Sequence, residues 1–168
     1  ARAETVSGYI NGENEAVSSL DAAEKVDDSG GGGFVKMEDG TFVTIDCTIP
    51  RECSSMNFSI IGDAGKLYLN NDDGEWRYWR IEGGEHIEEP IPGIEGSWTW
   101  DTDYTNAFAN AARHVEDLLY GEATNFSPGT EAIKSLEIIV AFYTSHFTDG
   151  RASIPLERPL RDVRITSW

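Results

Sequence analysis

A chain of 168 residues has about the length of one domain, and at that size roughly 70% of the unfolded chain's surface can be buried. Its 39% hydrophobic and 11% aromatic content supports a packed core, although 30 acidic against 13 basic residues leave a formal net charge of −17. That charge excludes a nucleic-acid-binding face, which needs clustered cations, and no run of about 18 apolar residues is present to span a membrane.

The first two-thirds of the chain reads as strands. Ala3 to Ile10 and Glu15 to Leu20 are half-apolar runs parted by Asn11 and Gly12, a pair that accepts the positive φ of a tight hairpin. The glycine run from Gly30 to Gly33 reads as a loop between strands. A second hairpin follows, with Phe34 to Met37 and Thr41 to Ile49 flanking Glu38, Asp39 and Gly40. Alternation along the longer arm sends Val43, Ile45, Cys47 and Ile49 to one face, and Phe42, Thr44, Asp46 and Thr48 to the other.

Four more strands are predicted at Met56 to Ile61, Lys66 to Asn70, Glu75 to Ile81 and Glu85 to Glu89. Their short connections permit only antiparallel neighbours. From Tyr104 the period changes to 3.6, with Ala107, Phe108, Ala111, Ala112, Val115, Leu118 and Leu119 on one stripe. Asp101, Thr102 or Asp103 is available as N-cap and Gly121 as the stop. A second helix starts at a Ser127 or Thr130 cap, carries the stripe Ala132, Ile133, Leu136, Ile139, Val140, Tyr143 and Phe147, and ends at Asp149 and Gly150. Arg151 to Leu156 reads as a closing strand, and Glu157 to Trp168 as an extended tail. Strands first and helices after define an α+β class: an open, mostly antiparallel β-sheet with helices packed on one face.

Motifs of chemistry are sparse. The glycine run does not match G-x-G-x-x-G, because Val35 stands where the third glycine belongs, and Gly62 to Lys66 is too short for a P-loop. Neither a cofactor site nor a metal site is expected in this chain. His86, His114 and His146 lack the i, i+4 spacing by which one helix face holds a metal, and read as surface residues. Cys47 and Cys53 match no zinc or redox spacing and read as free thiols of a reducing compartment.

Aromatic residues are in excess, with Trp98 and Trp100 in one short segment and Trp76, Tyr78 and Trp79 in one strand. Such an excess on a two-faced sheet implies that the second face is also covered, by a subunit or a domain. The start carries neither a basic nor an apolar signal region, so the expected location is cytoplasmic. The absence of an initiating Met is what a piece of a longer protein would have. Only four lysines stand among the 13 basic residues, and a lysine-poor acidic surface suits concentrated salt, where the Debye length falls to about 3 Å at 1 M. A salt-loving source is the corresponding expectation.

The order of these features resembles a known family. Asp27 and Asp28 before the segment GFVKMEDGTFVTID, from Gly33 to Asp46, resemble the acidic pair and hairpin of the glucose-fructose oxidoreductase/inositol dehydrogenase (Gfo/Idh/MocA) family, with Met37 in place of an aromatic. FSIIGDAGKLYL, from Phe58 to Leu69, is similar to a second hairpin of that family. Phe126 to Pro128 with Ala132, Leu136, Ala141, Tyr143, Ser145, Gly150 and Pro155 resembles its C-terminal helix and closing strand.

The resemblance implies that residues 1–168 are the single C-terminal substrate and oligomerisation domain of an NAD- or NADP-dependent oxidoreductase acting on a sugar, polyol or related hydroxy compound. The dinucleotide-binding domain, with the family's reactive lysine and histidine, has no counterpart here, so no catalytic residue transfers and the piece alone is expected to be inactive. The segment from Ile94 to Tyr104 would approach substrate, with Trp98, Trp100, Asp101 and Tyr104 as its lining candidates. The partners implied are a small-molecule substrate in the parent enzyme and further copies of the chain, joined through the open sheet face, with no nucleic acid and no membrane. The alternative is a stand-alone interaction or carbohydrate-binding module, its aromatic residues stacked on sugar rings.

Overall fold

The computed structural model describes residues 1–10, 26–27, 30–47, 56–70, 72, 74–94, 103–157 and 165–166. They contain β1 (Ala3–Ile10), β2 (Val26–Asp27), β3 (Gly31–Met37), β4 (Phe42–Asp46), β5 (Asn57–Gly62), β6 (Gly65–Asn70), β7 (Glu75–Glu82) and β8 (Glu85–Glu89). Then follow α1 (Thr105–Tyr120), α2 (Gly129–Thr148), β9 (Ala152–Ser153) and β10 (Ile165–Thr166). The hairpin expected at Asn11 and Gly12, with its second arm from Glu15 to Leu20, lies outside the described residues, as does Cys53.

The class is α+β, as the change of period predicts, with two open four-stranded antiparallel sheets ordered β4-β3-β1-β9 and β5-β6-β7-β8. A short parallel pair joins β10 to β2. The chain divides into two compact units, Ala1–Glu52 with Phe126–Trp168, and Cys53–Asn125.

In the first unit α2 lies over one face of the β4-β3-β1-β9 sheet. Val6 and Val35 are fully enclosed there, together with Ala3, Ala141, Phe142 and Ala152, and Ile10, Met37, Ile45 and Ile138 pack around them. Each fully buried valine or phenylalanine contributes about 1.5–3 kcal/mol through its removal from water.

The glycine run is not a loop. Gly31, Gly32 and Gly33 form the first half of β3 and pair with Ile10, Tyr9 and Gly8 of β1. The reason is steric: a Cβ on Gly8 would lie 2.2 Å from Cδ1 of Phe142, and one on Gly33 would lie 2.2 Å from the Ser7 carbonyl oxygen and 3.0 Å from the Phe142 ring. Gly33 also holds a φ of +150°, open to glycine alone at low cost. Strand glycines of this kind mark close approach of a second element, here the phenyl ring of α2.

The helix stripe needs a second correction. Ile133, Leu136 and Ile139 are about half exposed, at 56%, 46% and 49%, while the buried residues are Val140, Ala141, Phe142, Tyr143 and Ser145. Only the C-terminal half of α2 is enclosed, and Phe142, off the predicted stripe, packs into the core against Val6 and Val35. Neither predicted serine nor threonine caps α2; its N-cap position is Pro128, without a side-chain cap bond, and its C-cap Asp149 is left-handed with φ 48°.

The second unit holds the meander. Gly62 pairs with Gly65 and Glu82 with Glu85, closing tight two-residue turns at the predicted places. Gly83 and Gly84 take the positive φ of 60° and 87° that such a turn requires. α1 begins after one π-type turn at residues 103–104, has no side-chain cap at its N-cap residue Tyr104, and ends on left-handed Gly121, the predicted stop. It buries none of its residues.

Candidate functional site

Of the four substrate-lining candidates, Trp98, Trp100 and Asp101 lie outside the described residues. Tyr104 stands at the entry to α1, 48% exposed, with its ring edge-on to Phe108 at 4.9 Å between centroids.

Where the structure does gather polar chemistry is at the far end of β1. Strand β9 pairs with β1 through Thr5 and Val6, and among the described residues no strand pairs with that edge of β1 beyond Val6. Side chains of the last turn of α2 take over its amides: the Gly8 N–H donates to Ser145 Oγ at 2.9 Å and the Ile10 N–H to His146 Nδ1 at 3.3 Å. Ser145, only 3% exposed, donates its own hydroxyl hydrogen to the Gly150 carbonyl oxygen in a hydrogen bond.

These contacts frame a cleft of about 260 Å³. One wall is Ser7, Gly8 and Tyr9 of β1; the other is Ser145, His146 and the turn residues Asp149, Gly150 and Arg151. Because Nδ1 of His146 accepts a backbone N–H, the neutral imidazole carries its proton on Nε2. Arg151 and Asp149 have no side-chain partner among the described residues. Residues from opposite ends of the chain meet here, up to 137 positions apart, so no local motif announces the cleft.

The other concentration of charge is the outer face formed by β6, β7 and β8. Arg77 grips Glu88 through Nε at 2.8 Å and Nη2 at 2.7 Å, and its guanidinium lies 4.7 Å from the Trp79 ring centre. Lys66 approaches the same ring at 5.2 Å. The Arg77 hydrogen bonds hold the Glu88 carboxyl below its ordinary value of 4.5, and Glu88 in turn raises Arg77. This cluster satisfies itself. Among the described residues no group of three or more His, Cys, Asp or Glu side chains is placed to hold a metal, and no helix is long and apolar enough to cross a membrane.

No family model matches the sequence, and no curated protein matches it. Solved structures do match in fold. The WlbA dehydrogenase of Bordetella pertussis, solved with NADH and UDP-GlcNAcA, aligns over 94% of this chain and 43% of its own, at 17% identity and a TM-score of 0.63. An oxidoreductase domain protein from Kribbella flavida aligns over 92% and 46%, at 14% identity and 0.67. An NAD-binding protein from Listeria innocua aligns over 91% and 42%, at 15% identity and 0.55. The likeness is one of fold, and this chain spans less than half the length of each of these structures.

Proposed function

We propose that this chain is the C-terminal half of an NAD- or NADP-dependent oxidoreductase of the Gfo/Idh/MocA type, acting on a sugar, polyol or related hydroxy compound. In this reading it supplies the substrate-side wall, from Ile94 to Tyr104, and the surface through which subunits associate. The observation that carries it is the pattern of structural likeness: nearly the whole chain aligns with oxidoreductases and an NAD-binding protein and covers less than half of each. The sequence order of its hairpins and closing helix supports the same assignment. The chemistry of hydride transfer would belong to the cofactor and to residues outside this half.

The chain by itself is then expected not to bind NADH or NADPH. A dinucleotide needs a glycine-rich strand-to-helix turn that aims backbone N–H groups at the pyrophosphate, and the sequence carries no G-x-G-x-x-G pattern ahead of α1 or α2. Calorimetric titration with each cofactor checks this. A dissociation constant below about 10 µM, roughly 7 kcal/mol of binding, would overturn the assignment of halves. Saturable binding of monosaccharides to the chain alone would instead favour the carbohydrate-binding module, for which the exposed Tyr9, Phe34 and Phe42 (54%, 57% and 68%) offer one stacking surface.

A further inference from the structure

We infer that the cleft between the end of β1 and the last turn of α2 is a binding site for a small carboxylate that carries a hydroxyl or ammonium group beside the carboxylate. The inference stands on the first unit's geometry and does not depend on the oxidoreductase reading. Its starting point is charge that the fold leaves unmatched. In a chain with 30 acidic and 13 basic residues, Lys36, Arg77, Arg80 and Lys134 each hold a carboxylate. Arg2, Lys66, Arg113 and Arg151 hold none among the described residues, and of these Arg151 lines this cleft, exposed like Asp149, which lines it too. A guanidinium and a carboxylate that share a cleft without pairing are available to a third party.

The donor and acceptor set selects that party. The Arg151 fork matches the two oxygens of a carboxylate. His146, its Nδ1 engaged by the Ile10 amide, keeps Nε2–H as a further donor. Asp149 only accepts, so its complement is a hydroxyl or an ammonium group. A phosphate dianion fits worse than a carboxylate, because its second negative charge doubles the repulsion from the Asp149 carboxylate and the negative end of the α2 dipole, which a single charge meets only once. A carboxylate with a neighbouring proton donor satisfies both charges. Size agrees: 260 Å³ holds about nine waters at ~30 Å³ each, hence a ligand of at most about nine non-hydrogen atoms.

The test is an amide NMR titration of the whole ¹⁵N-labelled chain, following Gly8, Ile10 and Gly150. The probes are glycerate, serine, glycerol and inorganic phosphate. Saturable shifts at these amides with glycerate or serine are expected, with glycerol and phosphate at least tenfold weaker, the factor set by losing one charge-assisted contact. Arg151→Gln is expected to weaken binding by about tenfold or more, and Arg151→Lys, which keeps the charge and loses the fork, by less. Asp149→Asn separates the two ligand types, since it costs serine more than glycerate. Absence of saturation by about 20 mM for both carboxylates would overturn the site. So would equal binding of phosphate, or an Arg151→Gln variant of unchanged affinity and unchanged thermal midpoint.

Discussion

Phe142 sets the terms for its neighbours in the first sheet. Its ring occupies the volume that a side chain at position 8 would need, and it touches the space above position 33. Gly8→Ala is therefore a small-to-large substitution in a closed contact, and the expected loss is about 1–3 kcal/mol, read as a lower urea midpoint. Phe142→Leu in the same background is expected to recover part of it, so that the two losses are not additive. Additive losses would show that the ring does not dictate the glycine. At Gly33 alanine meets the Ser7 carbonyl oxygen at 2.2 Å and a φ of +150°, and trimming Phe142 would relieve neither.

At the scale of elements, the β6-β7-β8 ladder carries its charge in cross-strand pairs. Glu88 is held by the Arg77 guanidinium and titrates below 4.5, and Asp39, in the β3–β4 turn, titrates below 3.8 because the Thr41 N–H donates to it. Both carboxyls have folded values depressed below their unfolded ones. Their contribution is thus complete above about pH 4.5 and is lost as pH falls through the depressed values. Carboxyl NMR titration of Arg77→Gln is expected to return Glu88 toward 4.5 and to leave Asp39 unmoved. An unchanged Glu88 would show that Arg77 is not the cause. Both groups are on the surface, so 1 M salt is expected to shrink the Glu88 shift.

The same elements show which parts of the fold can be read from residues alone. β1, β7 and β8 stand where alternation and turn glycines place them, and the α1 stop at Gly121 follows from its tolerance of left-handed φ. These signals are local. The strand identity of Gly31 to Gly33 is not, because it depends on Phe142, about a hundred positions away, and a glycine run by itself carries no strand propensity. The exposure of Ile133, Leu136 and Ile139 is hidden for the same reason: periodicity marks an apolar stripe without saying what covers it. The cleft was missed because its walls meet only through tertiary structure, and a lone His146 or Arg151 has no spacing to mark it.

Over the whole molecule, the sheet face opposite α2 remains to be accounted for. The register places Ser7, Phe34 and Thr44 side by side, then Lys36 with Phe42, and Tyr9 with Gly32 and Asp46. By alternation these share one face, turned away from the Val6 and Val35 core. A solvated face of an antiparallel sheet is ordinarily polar, yet Tyr9, Phe34 and Phe42 project from this one at 54%, 57% and 68% exposure. Stacking two copies here would remove about 800 Å² per subunit from water, a standard interface. Opposing it is repulsion between two chains of net charge −17, which reaches about 10 Å at 0.1 M salt and about 3 Å at 1 M. Association and thermal midpoint are accordingly expected to rise together from 0.1 M to 1 M KCl. Light scattering coupled to size exclusion is expected to give at least twice 18.5 kDa at 1 M, and Phe42→Asp to restore the monomer. A wild-type monomer at both salt concentrations, or a Phe42→Asp oligomer, would exclude this face as the interface. An assembly that weakens with salt would instead mean that charge pairing, not the aromatic face, holds it together.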